Sequence, residues 1–175
     1  MYDMLVRLYD LPDLTPHLAR QAEAGIDVRR PLAVEKSLVV EWVLQNFGQG
    51  WANECEVSFG QAPPLCYVAV DVEKSEIVGF ACHDVVYKNM FGPTGVHPDY
   101  RGRGIGAALL LACLHAMHAQ GYAYAIIAGV GPAAFYAKVA GAVDIEGSTP
   151  GIYRGWLGAR LGMADSAMHE GGSPE

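Results

Sequence analysis

The sequence contains no run of about 18 uncharged apolar residues, which is the length that a membrane-spanning helix needs. The first residues, Met1 to Arg7, also lack the basic-then-apolar pattern of a secretory signal peptide. These two absences predict a soluble, cytoplasmic protein that does not contact a membrane.

Cysteine is sparse, and its spacing argues against two common kinds of site. The four cysteines are Cys55, Cys66, Cys82 and Cys113, and no two of them form a C-x-x-C pair. This spacing disfavours a zinc site and a thioredoxin-like redox motif, so we predict no metal. The even number is compatible with disulfides, but a chain with this apolar content needs no covalent cross-links. We therefore expect buried thiols in a reducing compartment.

Basic residues are also few. The chain has 12 Lys and Arg against 19 Asp and Glu, which gives a formal net charge of −7 at pH 7. This balance argues against a nucleic-acid partner, although a small basic loop could still hold one anion. With 175 residues, 51% of them hydrophobic, the chain has the size and composition of one globular domain. We predict that domain over residues 1–162, and a flexible tail over residues 163–175.

Hydrophobic patterns predict helices interspersed among strands, with three consecutive strands in the middle of the chain. The predicted strands cover residues 4–9, 66–72, 76–83, 89–96 and 124–128, with two weaker strands at 143–145 and 152–156. The predicted helices cover residues 15–25, 33–47, 105–120 and 131–141. Residues 51–64 show no regular pattern. This order indicates an α+β fold, with a mixed sheet and helices on both faces.

The most informative segment joins the strand at residues 89–96 to the longest helix. It reads Val96-His-Pro-Asp-Tyr-Arg-Gly-Arg-Gly-Ile-Gly106, with three alternating glycines and two arginines. Glycines allow backbone N–H groups to turn toward one point, and the first N–H groups of a helix have no intrahelical partner. The helix dipole and the guanidinium groups add positive charge. The segment therefore predicts a phosphate-binding loop.

Two other phosphate motifs fit this segment less well. Residues Gly102 to Ala107 match the relaxed dinucleotide pattern G-x-G-x-x-G/A. A Rossmann unit also needs an acidic residue at the end of the next strand, and residues 124–130 contain neither Asp nor Glu. A Walker A loop is excluded because no Lys-Ser or Lys-Thr follows the glycines. A dinucleotide-binding oxidoreductase is therefore the weaker alternative.

The segment resembles the acetyl-CoA signature of the GNAT superfamily of acyl-CoA N-acyltransferases. That signature is Val-x-Pro-x-x-Arg/Gln-x-x-Gly-x-Gly/Ala, and its fixed positions are filled here by Val96, Pro98, Arg101, Gly104 and Gly106. The resemblance implies an α/β/α sandwich with a mixed, mostly antiparallel sheet of six to seven strands and about four helices. It also implies transfer of an acetyl group from acetyl-CoA to a primary amine of a small molecule or peptide, and it is compatible with a homodimer.

A second segment, residues 134–142, resembles the later Phe-Tyr-x-Lys-x-Gly-Phe helix of the same family. It departs from that pattern by one extra residue before Gly141 and by Ala142 in place of Phe. Many members also carry an Asn before this helix, where this chain has Gly131 and Pro132. The departures affect the contact that the Asn makes with the pantetheine arm, but they leave the tyrosine, Tyr136, in place.

The resemblance assigns roles to individual residues. The backbone at the end of the signature strand would pair with the pantetheine amides: Thr94, Gly95 and Val96. The loop would hold the pyrophosphate: Arg101, Gly102, Arg103, Gly104, Ile105 and Gly106. Gly92, Pro93 and Gly95 are consistent with a bulge that makes room for the arm. Tyr136 would protonate the leaving CoA thiolate, because a phenol of pKa about 10 is mostly protonated at neutral pH.

The incoming amine must lose a proton before it attacks, and the sequence does not select the base. Four candidates are Glu54, His83, Asp84 and His97. The acidic composition slightly favours a cationic acceptor. A catalytically silent acyl-CoA sensor of the same fold is the other alternative, since it would bind acetyl-CoA without releasing CoA.

Overall fold

Seven strands form one sheet in the computed structural model, which describes residues 2–157. They are β1 (Met4–Arg7), β2 (Ile26–Arg29), β3 (Cys66–Asp71), β4 (Glu76–His83), β5 (Met90–Val96), β6 (Tyr124–Ile127) and β7 (Val143–Asp144). The α-helices are α1 (Thr15–Glu23), α2 (Lys36–Phe47), α3 (Gln49–Ser58), α4 (Ile105–Ala119) and α5 (Ala133–Ala140).

The strand order is β2–β3–β4–β5–β6–β1–β7. All neighbouring strands are antiparallel except β5 and β6, which run parallel. This confirms the prediction of a mixed, mostly antiparallel sheet. Within residues 2–157 five α-helices accompany the sheet, where about four were expected.

Helix α4 forms the centre of the core on one face of the sheet. Ten of its 15 residues are buried, and they lie around its whole circumference. A helix that is apolar on all sides is stable only when it is covered on all sides. Here the sheet covers one side of α4, while α1 and α5 contact its flanks.

Helices α2 and α3 cover the opposite face. Val39, Val43 and Phe47 recur every four residues along α2 and so point to one side. They pack with Phe80 and Val68 from the sheet in a second core cluster. The prediction of helices on both faces is therefore confirmed.

Three local predictions were wrong. Strand β2 was not expected, because at four residues its alternation of apolar and charged side chains is too short to stand out. Helix α3 occupies most of residues 51–64, where no element was expected. It gave no clear pattern because the residues that it buries are small: Ala52, Cys55 and Ser58. The strand expected at residues 152–156 is replaced by a single 3-10 turn at Gly151–Tyr153.

The cysteines are free thiols and all four are buried, as predicted. Cys55, Cys66 and Cys82 pack together under α3, and Cys113 lies apart from them on α4. Within residues 2–157 no helix has the length and hydropathy needed to cross a membrane. The domain boundary expected at residue 162 and the tail expected over residues 163–175 lie outside the described residues.

Candidate functional site

Strands β5 and β6 separate, which opens a gap in the middle of the sheet. They pair only where the start of β5 lies beside the end of β6: Met90 faces Ile126 and Phe91 faces Ile127. Beyond this point β5 continues from Gly92 to Val96 without pairing with β6. The gap therefore widens toward the loop that follows β5.

A bulge in β5 accompanies the separation. Between the pair Ala81–Thr94 and the pair His83–Phe91, β5 advances three residues while β4 advances two. Gly92 lies in this interval with φ +116°, a conformation that side chains other than that of glycine rarely adopt. The distortion expected at Gly92 and Pro93 is present, and it turns the end of β5 away from β6.

Backbone groups on β5 face the gap at alternate residues. His97 N–H donates to Val78 O at 2.9 Å, so the neighbouring pair Val96–Gly79 is not hydrogen-bonded across β4 and β5. By the same alternation, Thr94 also directs its N–H and C=O groups toward the gap. Thr94 and the N–H of Val96 thus present peptide groups to the gap, while the C=O of Val96 accepts a hydrogen bond from Arg101 Nε.

Gly95 has a different part in this strand. By the same alternation its backbone pairs with Phe80 rather than facing the gap. A Cβ atom on Gly95 would lie 2.5 Å from Cζ of Phe47. The missing side chain therefore lets the Phe47 ring pack directly on β5, and this contact sets the position of the strand against α2.

The loop after β5 ends in a helix with free N–H groups. Gly102 has φ +73° and Gly104 has φ +83°, and Gly104 immediately precedes the first residue of α4, Ile105. Both glycines adopt the left-handed backbone conformation. The chain therefore turns so that the N-terminal turn of α4 lies at the wide end of the gap. Its N–H groups and the helix dipole favour an anion there.

The two loop arginines also hold the loop itself. Arg101 Nε donates to Val96 O at 3.2 Å. Arg103 Nη2 donates to Asp99 O at 2.8 Å, and its guanidinium stacks on the Tyr100 ring at 4.7 Å from the ring centre. Both side chains thus contribute positive charge and also fix the backbone that was expected to bind phosphate.

Helix α1 contributes two residues to the loop that the sequence did not indicate. Gln21 is 2% exposed, and its Nε2 donates to Arg103 O at 3.1 Å. A Cβ atom on Gly104 would lie 3.3 Å from Gln21 Nε2 and 3.9 Å from Arg20 Nη1. Arg20 and Gln21 are about 80 residues away in the chain, and no local pattern connects them with the loop.

A cleft of about 620 Å³ lies beside the loop, between α2 and the β3–β4 hairpin. Trp42 lies on its α2 side and Lys74 on its hairpin side, while His97 and Arg103 come from the loop. This cleft is separate from the gap between β5 and β6, and Arg103 belongs to both the cleft and the phosphate loop.

Tyr136 lies at the closed end of the gap. Its ring centre is 6.3 Å from that of Phe91, which is the last residue of β5 to pair with β6. The side chain is 5% exposed, and burial raises the pKa of the phenol above its ordinary value. Tyr136 is therefore neutral at physiological pH and keeps its proton.

Glu54 and Asp3 form a group of acidic side chains around the phenol of Tyr153. Glu54 lies half-buried on α3, and burial raises the pKa of its carboxyl to about 7. Burial raises the pKa of Tyr153 to about 12, with the nearby charges of Glu54 and Asp3 acting in the same direction. Asp3 Oδ1 accepts a hydrogen bond at 3.1 Å from the N–H of Gly129, just after β6.

The other three candidate bases are already engaged. His83 is fully buried, with its Nδ1 2.9 Å from Asp84 Oδ2, and burial lowers the pKa of the His83 imidazole. Asp84 also accepts a hydrogen bond from Asn89 N–H at 2.7 Å. His97 Nδ1 accepts a hydrogen bond from Asp99 N–H at 3.3 Å and so caps the turn before the loop. Of the four candidates, Glu54 is the one whose pKa burial raises to about 7.

Comparison with known proteins gives one family. The model of the acetyltransferase (GNAT) family matches residues 37–142, which is more than half of the chain. No curated protein matches the sequence. Helix α1 and strands β1, β2 and β7 lie outside the residues that the family model matches.

Solved structures with the same fold include three from different organisms. One is the glucosamine N-acetyltransferase region of a fungal multi-domain β-N-acetylglucosaminidase, with 17% identity and a TM-score of 0.67. A GCN5-related N-acetyltransferase from Sphaerobacter thermophilus has 20% identity and a TM-score of 0.57. A Drosophila protein has 17% identity and a TM-score of 0.56.

Each of these three matches covers 82% of the present chain. The matched parts are 19%, 48% and 47% of the respective known chains. The chain thus corresponds to at most about half of each of these proteins, and at such low identity the likeness concerns the fold.

Proposed function

Since this chain belongs to the GNAT acetyltransferase family, we propose that it transfers an acetyl group from acetyl-CoA to a primary amine. The observation that carries the proposal is the gap between β5 and β6, which opens onto the N-terminus of α4. A long ligand with a diphosphate at one end and amide groups along its arm suits both features.

Each part of acetyl-CoA has a matching feature along the gap. The diphosphate suits the N–H groups that follow Gly104, with Arg101 and Arg103 nearby. The pantetheine amides suit the peptide groups of Thr94 and the N–H of Val96, which face the gap and would extend β5 in the manner of an added strand. This arrangement leaves the thioester near the closed end of the gap, where Tyr136 lies.

Tyr136 suits the role of general acid. When the amine attacks the thioester carbon, the C–S bond breaks and CoA leaves as a thiolate that needs a proton. A neutral phenol can donate that proton, and the burial of Tyr136 keeps it protonated. A backbone N–H of β5 near the thioester would stabilise the negative charge that develops on the carbonyl oxygen.

Glu54 suits the role of general base. An alkylamine is mostly protonated at neutral pH, and it must become neutral before it can attack. A carboxylate with pKa about 7 is partly ionised at that pH and has more proton affinity than an exposed glutamate. The negative charges of Glu54 and Asp3 also favour a cationic acceptor at this end of the gap.

The direct test is release of free thiol from acetyl-CoA in the presence of single amines. The panel contains an amino sugar, since one structural neighbour is a glucosamine N-acetyltransferase region, together with a polyamine and a peptide with a free N-terminus. We expect amine-dependent thiol release with at least one of them, with the acetylated amine detected by mass spectrometry. Tight binding of acetyl-CoA with no turnover across the panel would instead favour a silent acyl-CoA sensor.

A further inference from the structure

Three cysteines converge on the face of the sheet that helices α2 and α3 cover. Cys55 lies on α3, Cys66 on β3 and Cys82 on β4, and their Sγ atoms all lie within 4.8 Å of one another. Each of the three residues is 0% exposed. The spacing of the cysteines in the sequence argued against a metal site, but this cluster forms only when three separate elements pack together.

The pairing of β3 with β4 holds two of these sulfur atoms side by side. His83 N–H donates to Leu65 O at 3.0 Å, so the next pair, Cys66 and Cys82, is not hydrogen-bonded across the two strands. Side chains in such pairs approach each other more closely than those in hydrogen-bonded pairs. The sheet therefore fixes two sulfur atoms, and α3 brings the third, that of Cys55, against them.

Hydrogen bonding within the cluster favours one negative charge. The thiols of Cys66 and Cys82 lower the pKa of the Cys55 thiol by hydrogen bonding to it, against the opposing effect of burial. One thiolate and two thiols together carry a single negative charge. A monovalent cation that replaces one of the two remaining protons leaves this charge unchanged, so its entry adds no net charge to the apolar core.

The surroundings of the cluster favour a soft ion of low coordination number. The three cysteines pack in a core with Phe47, Val68 and Phe80, and within residues 2–157 no fourth His, Cys, Asp or Glu joins the group. Zinc in structural sites almost always takes four ligands, whereas copper(I) is another ion that soft thiolate ligands select. Metal–sulfur bonds of about 2.3 Å in a trigonal plane place the sulfur atoms about 4 Å apart, which small side-chain shifts achieve here.

We propose that Cys55, Cys66 and Cys82 form a buried binding site for one copper(I) ion. Copper keeps its oxidation state on binding, and each thiol that becomes a thiolate ligand releases its proton to solvent. The bound ion joins α3 to β3 and β4, so its binding also stabilises the packing of α3 on the sheet. Copper binding at this site does not require acetyl-CoA, so the proposal holds or fails independently of the proposed function.

Anaerobic titration of the full chain with copper(I), buffered by the chelator bicinchoninate, tests the proposal. We expect one copper(I) per chain, sulfur atoms alone as its neighbours in the X-ray absorption spectrum, and a higher midpoint of urea unfolding for the loaded chain. Because the site is buried, the copper content is also measured on chain purified from cells grown with added copper.

Alanine variants assign the ligands. In Cys55→Ala, Cys66→Ala and Cys82→Ala we expect the affinity for copper(I) to fall at least about 10-fold, since altering even an outer contact of a metal site costs that much. Cys113→Ala is the matched control, because Cys113 is equally buried but belongs to the other core cluster, on α4. Its affinity for copper(I) should equal that of the wild type.

The wild-type measurements decide the question even where an alanine variant fails to fold. Nitrogen or oxygen neighbours in the wild-type spectrum, or full affinity in all three variants, would place the copper at another site and overturn the proposal. Folded wild-type chain that takes up no copper(I) by either route would overturn it as well. A Cys66–Cys82 disulfide in such copper-free chain would assign the cluster to thiol redox chemistry instead.

Discussion

Burial is the main physical difference between Tyr136 and an ordinary surface tyrosine. The motif indicated Tyr136 from the sequence, but its position at the closed end of the gap depends on how β5 and β6 separate. For Tyr136→Phe we expect turnover to fall about 10- to 100-fold, because the leaving thiolate loses its proton donor. The Kd for acetyl-CoA should change by less than about twofold.

A steady-state assay with titration calorimetry checks both values for Tyr136→Phe. Tyr124→Phe is the matched control, because Tyr124 is exposed and its hydroxyl contacts that of Tyr9. Unchanged turnover in Tyr136→Phe would remove this phenol from the mechanism.

Glu54 illustrates what a sequence cannot predict about a single residue. It was one of four candidate bases, and the pKa of its carboxyl, which burial raises to about 7, distinguishes it from the others. As a base it must be ionised, so kcat/KM should rise with pH through an apparent pKa near 7. In Glu54→Gln this rising limb should disappear and the rate at pH 8 should fall at least about 10-fold.

The pH profile of kcat/KM for Glu54→Gln is best compared with that of Glu56→Gln. Glu56 lies on the same helix but is exposed and pairs with Lys36 at 2.8 Å. The Glu56→Gln variant should keep the rise of kcat/KM through an apparent pKa near 7. A profile of Glu54→Gln that still rises through the same pKa would assign the base to another group, with Asp3 and Tyr153 as its titratable neighbours.

At the scale of elements, the accuracy of prediction followed the strength of the hydrophobic pattern. Helix α4 and the strands β3, β4 and β5 were placed within about two residues, because their apolar runs are long and bounded by turns. Strand β2 was missed because it has only four residues, and helix α3 because the residues that it buries are small. The contact of α1 with the phosphate loop could not be predicted, since it depends on tertiary packing alone.

The contact between Phe47 of α2 and Gly95 of β5 predicts how a substitution at Gly95 changes stability. In Gly95→Ala the new methyl group would meet the Phe47 ring at 2.5 Å, so the ring or the strand must move. We expect a loss of about 1–3 kcal/mol in the free energy of unfolding, measured with urea. Gly131→Ala, where no atom lies within 4 Å of the new methyl, should change it by less than about 0.5 kcal/mol. Equal stability of Gly95→Ala and wild type would refute this packing argument.

At the scale of the whole molecule, the sequence predicted the fold class and a glycine-rich loop before α4, but it did not predict the order of the strands. Strand β1 lies between β6 and β7, so the start of the chain runs beside β6 near one edge of the sheet and brings Asp3 to the end of β6. Such long-range pairing leaves no local signal. The proposed site therefore combines residues from a recognisable motif with Asp3 and Glu54, which only the tertiary structure brings together around Tyr153.

The central claim is that coenzyme A binds across the gap between β5 and β6. A crystal structure of the chain with CoA tests it most directly. The account predicts the diphosphate on the N–H groups of residues 102–106, and the pantetheine arm paired with Thr94 and Val96. Electron density for CoA in the cleft beside α2, or at any other place that leaves the gap empty, would contradict it.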